Sequence, residues 1–233
     1  MNIEVALTPS LYPHRTLTGN HTTVAIDLLR ATTAICAAFQ AGCREIVPLA
    51  SLDGLASYRQ AGYAIAVERG GKKIGDAEYG NSPTEYLHSN MQGIRLAYST
   101  TNGTRSILAA ADALHTYVGA FANLTALTSR LAADGLDAVL LCSGWEGNFC
   151  IEDTLVAGAI IERLGTQASP CGDAAQMAVA LWQAAQPSPL AYCERCTHVH
   201  RLQAFGAEAD ISFAFEQDTC PLVPTLYANT LTL

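Results

Sequence analysis

Basic residues are scarce and scattered in this 233-residue chain: 13 lysines and arginines stand against 21 acids, and no basic block occurs anywhere. The formal charge of −8 therefore argues against nucleic acid as a partner, since such proteins carry a clustered basic footprint. Long apolar runs are missing too. The hydrophobic stretches are alanine-rich and interrupted, well short of the roughly 20 residues that cross a bilayer, so no membrane segment is expected. The N-terminus has no basic start leading into an apolar run and a small-residue cleavage site, and Glu4 interrupts the little hydrophobicity present. No leader is read from it, and the expected location is the cytoplasm. The eight cysteines agree with this: Cys36, Cys43 and Cys142 sit inside apolar patterns, and a chain of this length needs no disulfide staples, so they read as reduced thiols.

Missing motifs narrow the chemistry further. No two glycines are separated by a single residue, so GxGxxG is absent, and GxxxxGK[ST] is absent as well. Dinucleotide and P-loop nucleotide binding are poor readings. No cysteine is followed six positions on by arginine, and Asp27 is followed by Leu29 where a second aspartate would stand, so two common covalent phosphatase signatures are lacking. Cys193 and Cys196 are spaced like a zinc pair, but His198 and His200 follow too closely for a usual finger.

What is present is a chain half hydrophobic, able to bury its own core, in which short β-rich runs alternate with alanine-rich helical ones. That alternation predicts a largely parallel sheet covered by helices. Strands are expected over 22–27, 45–49, 64–68, 95–99, 114–119 and 137–142, and helices over 32–41, 51–60, 82–87, 103–110, 123–133, 151–164 and 173–185. Gly42, Gly62 and Gly135 fall where three of these helices should stop. Beyond Pro187 the pattern is less regular: Ser188-Pro189 opens a helix, and Pro221 and Pro224 break the tail. No linker is visible, so 1–233 reads as one unit or two tightly joined lobes.

In parallel α/β sheets ligands bind outside the carboxyl ends of the strands, and four strand ends here are polar. The first runs into Asp27 and Arg30, the next into Glu68 and Arg69. A third runs into Thr100-Thr101-Asn102-Gly103-Thr104, and the last into Cys142-Ser143-Gly144 with Glu152-Asp153 beyond. The Thr100 to Thr104 turn suits phosphate, because backbone N–H groups at a helix start bind anions, although a threonine N-cap would look alike. Asn81-Ser82-Pro83 with Glu85 is equally a phosphate loop or a capping box. Asp27 with Arg30 is either a pocket pair or a buried salt bridge. Glu152 and Asp153 either complement a helix dipole or serve a metal. Taken together, Asp27, Glu68, Glu152 and Asp153 make a hard-cation set of the kind Mg²⁺ prefers.

With these residues in view, the sequence resembles the 2-phosphosulfolactate phosphatases. The resemblance rests on Ala25-Ile26-Asp27-Leu28-Leu29-Arg30-Ala31-Thr32-Thr33, Glu68-Arg69-Gly70-Gly71, Gly80-Asn81-Ser82-Pro83 and the Thr100 to Thr104 run. It continues through Asn123, Cys142-Ser143-Gly144, Glu152-Asp153 and, more weakly, Arg201-Leu202 and Asp210-Ile211. It implies a three-layer α/β/α fold and Mg²⁺-dependent hydrolysis of a small anionic phosphoester, (R)-2-phospho-3-sulfolactate. Asp27, Arg30, Glu152 and Asp153 are then expected to be catalytic, and Asn81, Ser82, Thr100, Thr101, Asn102, Gly103 and Thr104 to bind phosphate. The metal is expected on Asp27, Glu68, Glu152 and Asp153. Water or Asp27 is the nucleophile, and a homodimer is common among such proteins. The competing class is a phospho-ligand-binding protein without catalysis.

Overall fold

A computed structural model describes all 233 residues. Its strands are β1 (Asn2–Ala6), β2 (Thr22–Ile26), β3 (Glu45–Pro48), β4 (Ala64–Arg69), β5 (Lys72–Lys73), β6 (Arg95–Ser99), β7 (His115–Gly119), β8 (Ala138–Cys142), β9 (Ser169–Pro170), β10 (Thr225–Tyr227) and β11 (Thr230–Thr232). Its helices are α1 (Ala31–Gln40), α2 (Leu55–Gln60), α3 (Pro83–Leu87), α4 (Gly103–Ala109), α5 (Leu124–Asp134), α6 (Ile151–Leu164), α7 (Gly172–Ala185), α8 (Pro189–Cys193), α9 (Thr197–Gln203) and α10 (Glu208–Ala214). No helix is long and apolar enough to cross a membrane.

The strands form one sheet in the order β5-β4-β6-β3-β11-β10-β7-β2-β8-β1-β9. β4, β6 and β3 are parallel, as are β7, β2, β8, β1 and β9. Between these two blocks lies the hairpin β10–β11, antiparallel to both, with Leu231 opposite Ile46 and Thr225 opposite Tyr117. The α/β class with a mostly parallel sheet is as expected, and all six expected strands form within one residue of their expected bounds.

Three layers follow from the period-two alternation along the strands. In β8, Ala138, Leu140 and Cys142 enter a 52-residue core with α1, α5, α6 and α7, whereas Val139 and Leu141 join Tyr12 and Ala110 in a small cluster on the opposite face. In β4 and β6, Ala66, Leu96 and Tyr98 face the large core, while Ile65, Val67 and Ala97 pack with Leu55 and Tyr58 of α2. Strands dry on both faces read as unbroken apolar runs, which is why they stood out in the sequence.

Two expectations need correction. Helix α2 begins four residues later than 51, because Ser51 and Asp53 close a turn on themselves and Gly54 adopts a left-handed φ of 81° just before it. The second is the N-terminus, where no strand was expected and β1 forms, with the Glu4 carboxylate turned outward to accept the backbone N–H groups of Thr16 and Leu17.

Candidate active site

The carboxyl ends of β2, β4, β6 and β8 open on one small cleft of about 70 Å³. The segment after β2 contributes Asp27 and Arg30, β4 contributes Glu68, and the turn after β6 contributes Thr101 and Asn102. The hairpin after β8 adds Trp145 and Glu146, Asn81 stands ahead of α3, and α9 supplies His198 and Arg201. Four strands separate β2 from β6, so a flat sheet would hold them about 24 Å apart at ordinary spacing. Yet a Cβ on Gly103, at the start of α4, would come within 2.7 Å of Asp27 Oδ2 and closer still to Ala31. The sheet is therefore curled, and only glycine at 103 lets the turn after β6 close over Asp27.

The Asp27 Oδ1 atom accepts the Ala31 N–H at 3.2 Å, and Oδ2 accepts nothing. Burial pushes this carboxyl up to about 6, with Glu68 and Glu152 adding repulsion and His198 acting against it. Glu68 is held more firmly, accepting N–H groups from Gly71 and from Thr101 (3.2 Å) as well as the Thr101 hydroxyl. Two carboxylates thus share a buried wall without a paired cation, a set of hard oxygen donors that fits Mg²⁺. Asn81 accepts the Tyr98 hydroxyl on Oδ1, which leaves its amide N–H groups as donors toward the cleft.

Other candidates from the sequence fasten this wall, and of them Arg30 also lines the cleft. Thr100 and Thr104 bond to each other and fasten the start of α4. Ser82 caps α3 by accepting the Glu85 N–H at 3.1 Å, and it donates to Asp210 at 2.7 Å. Arg30 donates to Asp210 at 2.6 Å and to the Gly71 carbonyl at 2.7 Å while also lining the cleft, so the buried ion pair and the pocket position coexist. Asp153 accepts the N–H groups of Leu28 and Gly144, each at 2.9 Å, and so ties the segments after β2 and β8 together. Burial and the charges of Asp27 and Glu152 push its carboxyl up, against the two donors that favour ionisation. Glu152 meets His198 Nδ1 at 2.9 Å.

His198, Trp145, Glu146 and Arg201 were not placed in the site from sequence. His198 drew notice only through a zinc-like spacing; the structure sets its ring against Glu152, near the Cys150 thiol, instead of joining it to Cys193 and Cys196. Trp145 and Glu146 sit on a two-residue turn bonded Trp145 to Asn148 in both directions, with Glu146 and Gly147 at positive φ. Gly144 and Gly147 were the available signal for it.

A protein-family model described as 2-phosphosulpholactate phosphatase matches residues 6–229. The chain belongs to that family. A relative named probable 2-phosphosulfolactate phosphatase from Synechococcus sp. (strain JA-3-3Ab) is 38% identical over 209 residues, 86% of each chain. Relatives of the same name from Gloeobacter violaceus and Thermotoga petrophila are 33% and 32% identical, covering 96% and 88% of this chain and 94% and 88% of their own. Within the 2-phosphosulpholactate phosphatase match lie every cleft residue and every residue fastened behind it.

Proposed function

We propose that this chain is a phosphoric monoester hydrolase that converts 2-phospho-3-sulfolactate to 3-sulfolactate and phosphate with Mg²⁺. The observation that carries this reading is the convergence of Asp27, Glu68, Asn81, Thr101 and Asn102, drawn from separate parts of a chain matched to the family over 6–229, on a single cleft. Asp27 and Glu68 would hold the metal, and the bound ion would screen these acids from the phosphate dianion and stabilise charge on the transferring oxygens.

The remaining work falls to the chain's own groups. The free amide of Asn81 and the side chain of Asn102 donate to phosphate oxygens and orient the ester. With Nδ1 donating to Glu152, His198 has Nε2 available to take a proton from water as its oxygen bonds to phosphorus. The bond from phosphorus to the sulfolactate oxygen breaks on the side opposite the attacking water, that oxygen takes a proton from solvent, and His198 returns its own proton to solvent. Glu152 is a positioning residue that fixes the ring, and Asp153 keeps the β2 and β8 segments at the spacing this geometry needs.

The test is phosphate release from 2-phospho-3-sulfolactate by protein stripped with EDTA, before and after Mg²⁺ is restored. Turnover that disappears and then returns supports the reading. Full turnover in metal-free buffer refutes the metal's part in it.

A further inference from the structure

Arg201 lies in the cleft wall against two aromatic rings, with none of its hydrogen-bonding capacity used within the protein. Its guanidinium lies 5.0 Å from the centre of the Trp145 ring and 5.5 Å from that of Phe205, so aromatic faces fix its position. Buried Val199 and Leu202 anchor α9, and the helical repeat then sets His198 and Arg201 on one face toward the cleft. Gly71 makes room on the other side: a Cβ there would meet Phe205 at 2.8 Å and Arg201 Nη2 at 3.2 Å. The contrast with Arg30 is decisive, because Arg30 commits two nitrogens to Asp210 and Gly71 while Arg201 has no hydrogen bond or ion pair within the protein. A guanidinium presents five N–H donors in a fork matched to oxyanions. Leaving it unpaired beside Asp27, Glu68 and Glu146 makes sense if a ligand supplies the anion.

We infer that Arg201, on its Trp145–Phe205 platform, is a second anion subsite that grips an acid group of the substrate other than its phosphate. This rests on the phosphoester reading above and adds to it the residue that recognises the substrate's second acid group. The group gripped is an oxyanion, carboxylate or sulfonate.

Kinetics of wild type, Arg201→Met and Arg201→Lys on three esters test it: ethyl phosphate, 2-phospholactate and 2-phospho-3-sulfolactate. Arg201→Met should lower kcat/KM for the doubly acidic ester about 10- to 100-fold, as expected when a charged hydrogen-bond pair is lost. Its effect on ethyl phosphate should stay below about threefold. Arg201→Lys should recover only part of the loss, because lysine lacks the fork. A loss on 2-phospholactate as well assigns the carboxylate; a loss confined to the sulfolactate ester assigns the sulfonate. Equal losses on all three esters, or none on any, overturn the subsite. Calorimetric titration with 3-sulfolactate, lactate and inorganic phosphate gives a readout independent of turnover. Weaker binding of an organic acid, with inorganic phosphate unaffected, supports the subsite even if no ester is hydrolysed, a result that would sink the phosphatase reading alone. Unchanged binding of both organic acids refutes it. Thermal melting verifies that the variants, altered at a partly exposed side chain, remain folded.

Discussion

Asp27 directly follows β2 with its carboxyl buried beside the charges of Glu68 and Glu152, an arrangement that costs stability whenever the group is ionised and no cation is present. Its folded value, about 6, lies above the ordinary value, so the neutral carboxyl stabilises the fold. That contribution is full below about pH 4 and is lost as pH rises through about 6. Asp27→Asn should therefore raise the stability of metal-free protein at pH 7.5 by about 1–2 kcal/mol, with the advantage shrinking as pH falls toward 5. Thermal melts of both proteins at the two pH values check this, and an equal shift at both would contradict it. Asp27, Glu68, Thr101 and Asn102 were legible in the sequence because each follows an apolar strand, where a polar side chain has few structural excuses. Arg30 shows the limit of that logic, since sequence could not see the partner waiting at Asp210, 180 residues on. The cleft positions of His198 and of Arg201, which the resemblance touched only weakly, were hidden for the same reason: a face of α9 means nothing until tertiary packing turns it toward the cleft.

The elements that complete the site come from the part of the chain with the weakest pattern. Strands β10 and β11 have three residues each, too few to display a period, and β5 and β9 have only two. The β10–β11 hairpin nevertheless closes the sheet's centre through a two-residue turn in which Ala228 and Asn229 have φ of 45° and 72°. Alanine resists that conformation and asparagine tolerates it. Ala228→Asn should stabilise the protein by about 0.5–1 kcal/mol, read as a higher urea midpoint; a lower midpoint would show that the turn is not strained. Helix α10 is bound to the site through Asp210, which accepts from Arg30, Ser82 and Thr84 (2.6 Å from its hydroxyl). Asp210→Ala leaves the Arg30 charge buried and alone, so equilibrium unfolding should register a loss of about 3–5 kcal/mol. A loss under about 1 kcal/mol would mean that water replaces the carboxylate. Asn123, singled out in the family resemblance, is equally structural, because its amide donates to the carbonyls of Val118 and Leu222 and pins the tail to the end of β7.

Across the whole molecule, two parallel blocks meet at a C-terminal hairpin, and the curled sheet gathers four strand ends around one acidic cleft. The parallel blocks were readable because both faces of their strands are buried; the hairpin between them was not, since its register is set by Ile46 and Tyr117, far away in sequence. A protein of net charge −8 repels a phosphoester at long range, so the attraction must be local. In the proposed reading, a metal held by Asp27 and Glu68 together with the unpaired Arg201 would supply it. Whether the cleft hydrolyses a phosphoester through Asp27 and His198 is decided by steady-state phosphate release from 2-phospho-3-sulfolactate in Mg²⁺ by wild type, Asp27→Asn and His198→Gln. The expected result is turnover by wild type and a fall in kcat of about 10²- to 10⁴-fold in each folded variant. Release by Asp27→Asn at the wild-type rate, or no release by wild type, would contradict it.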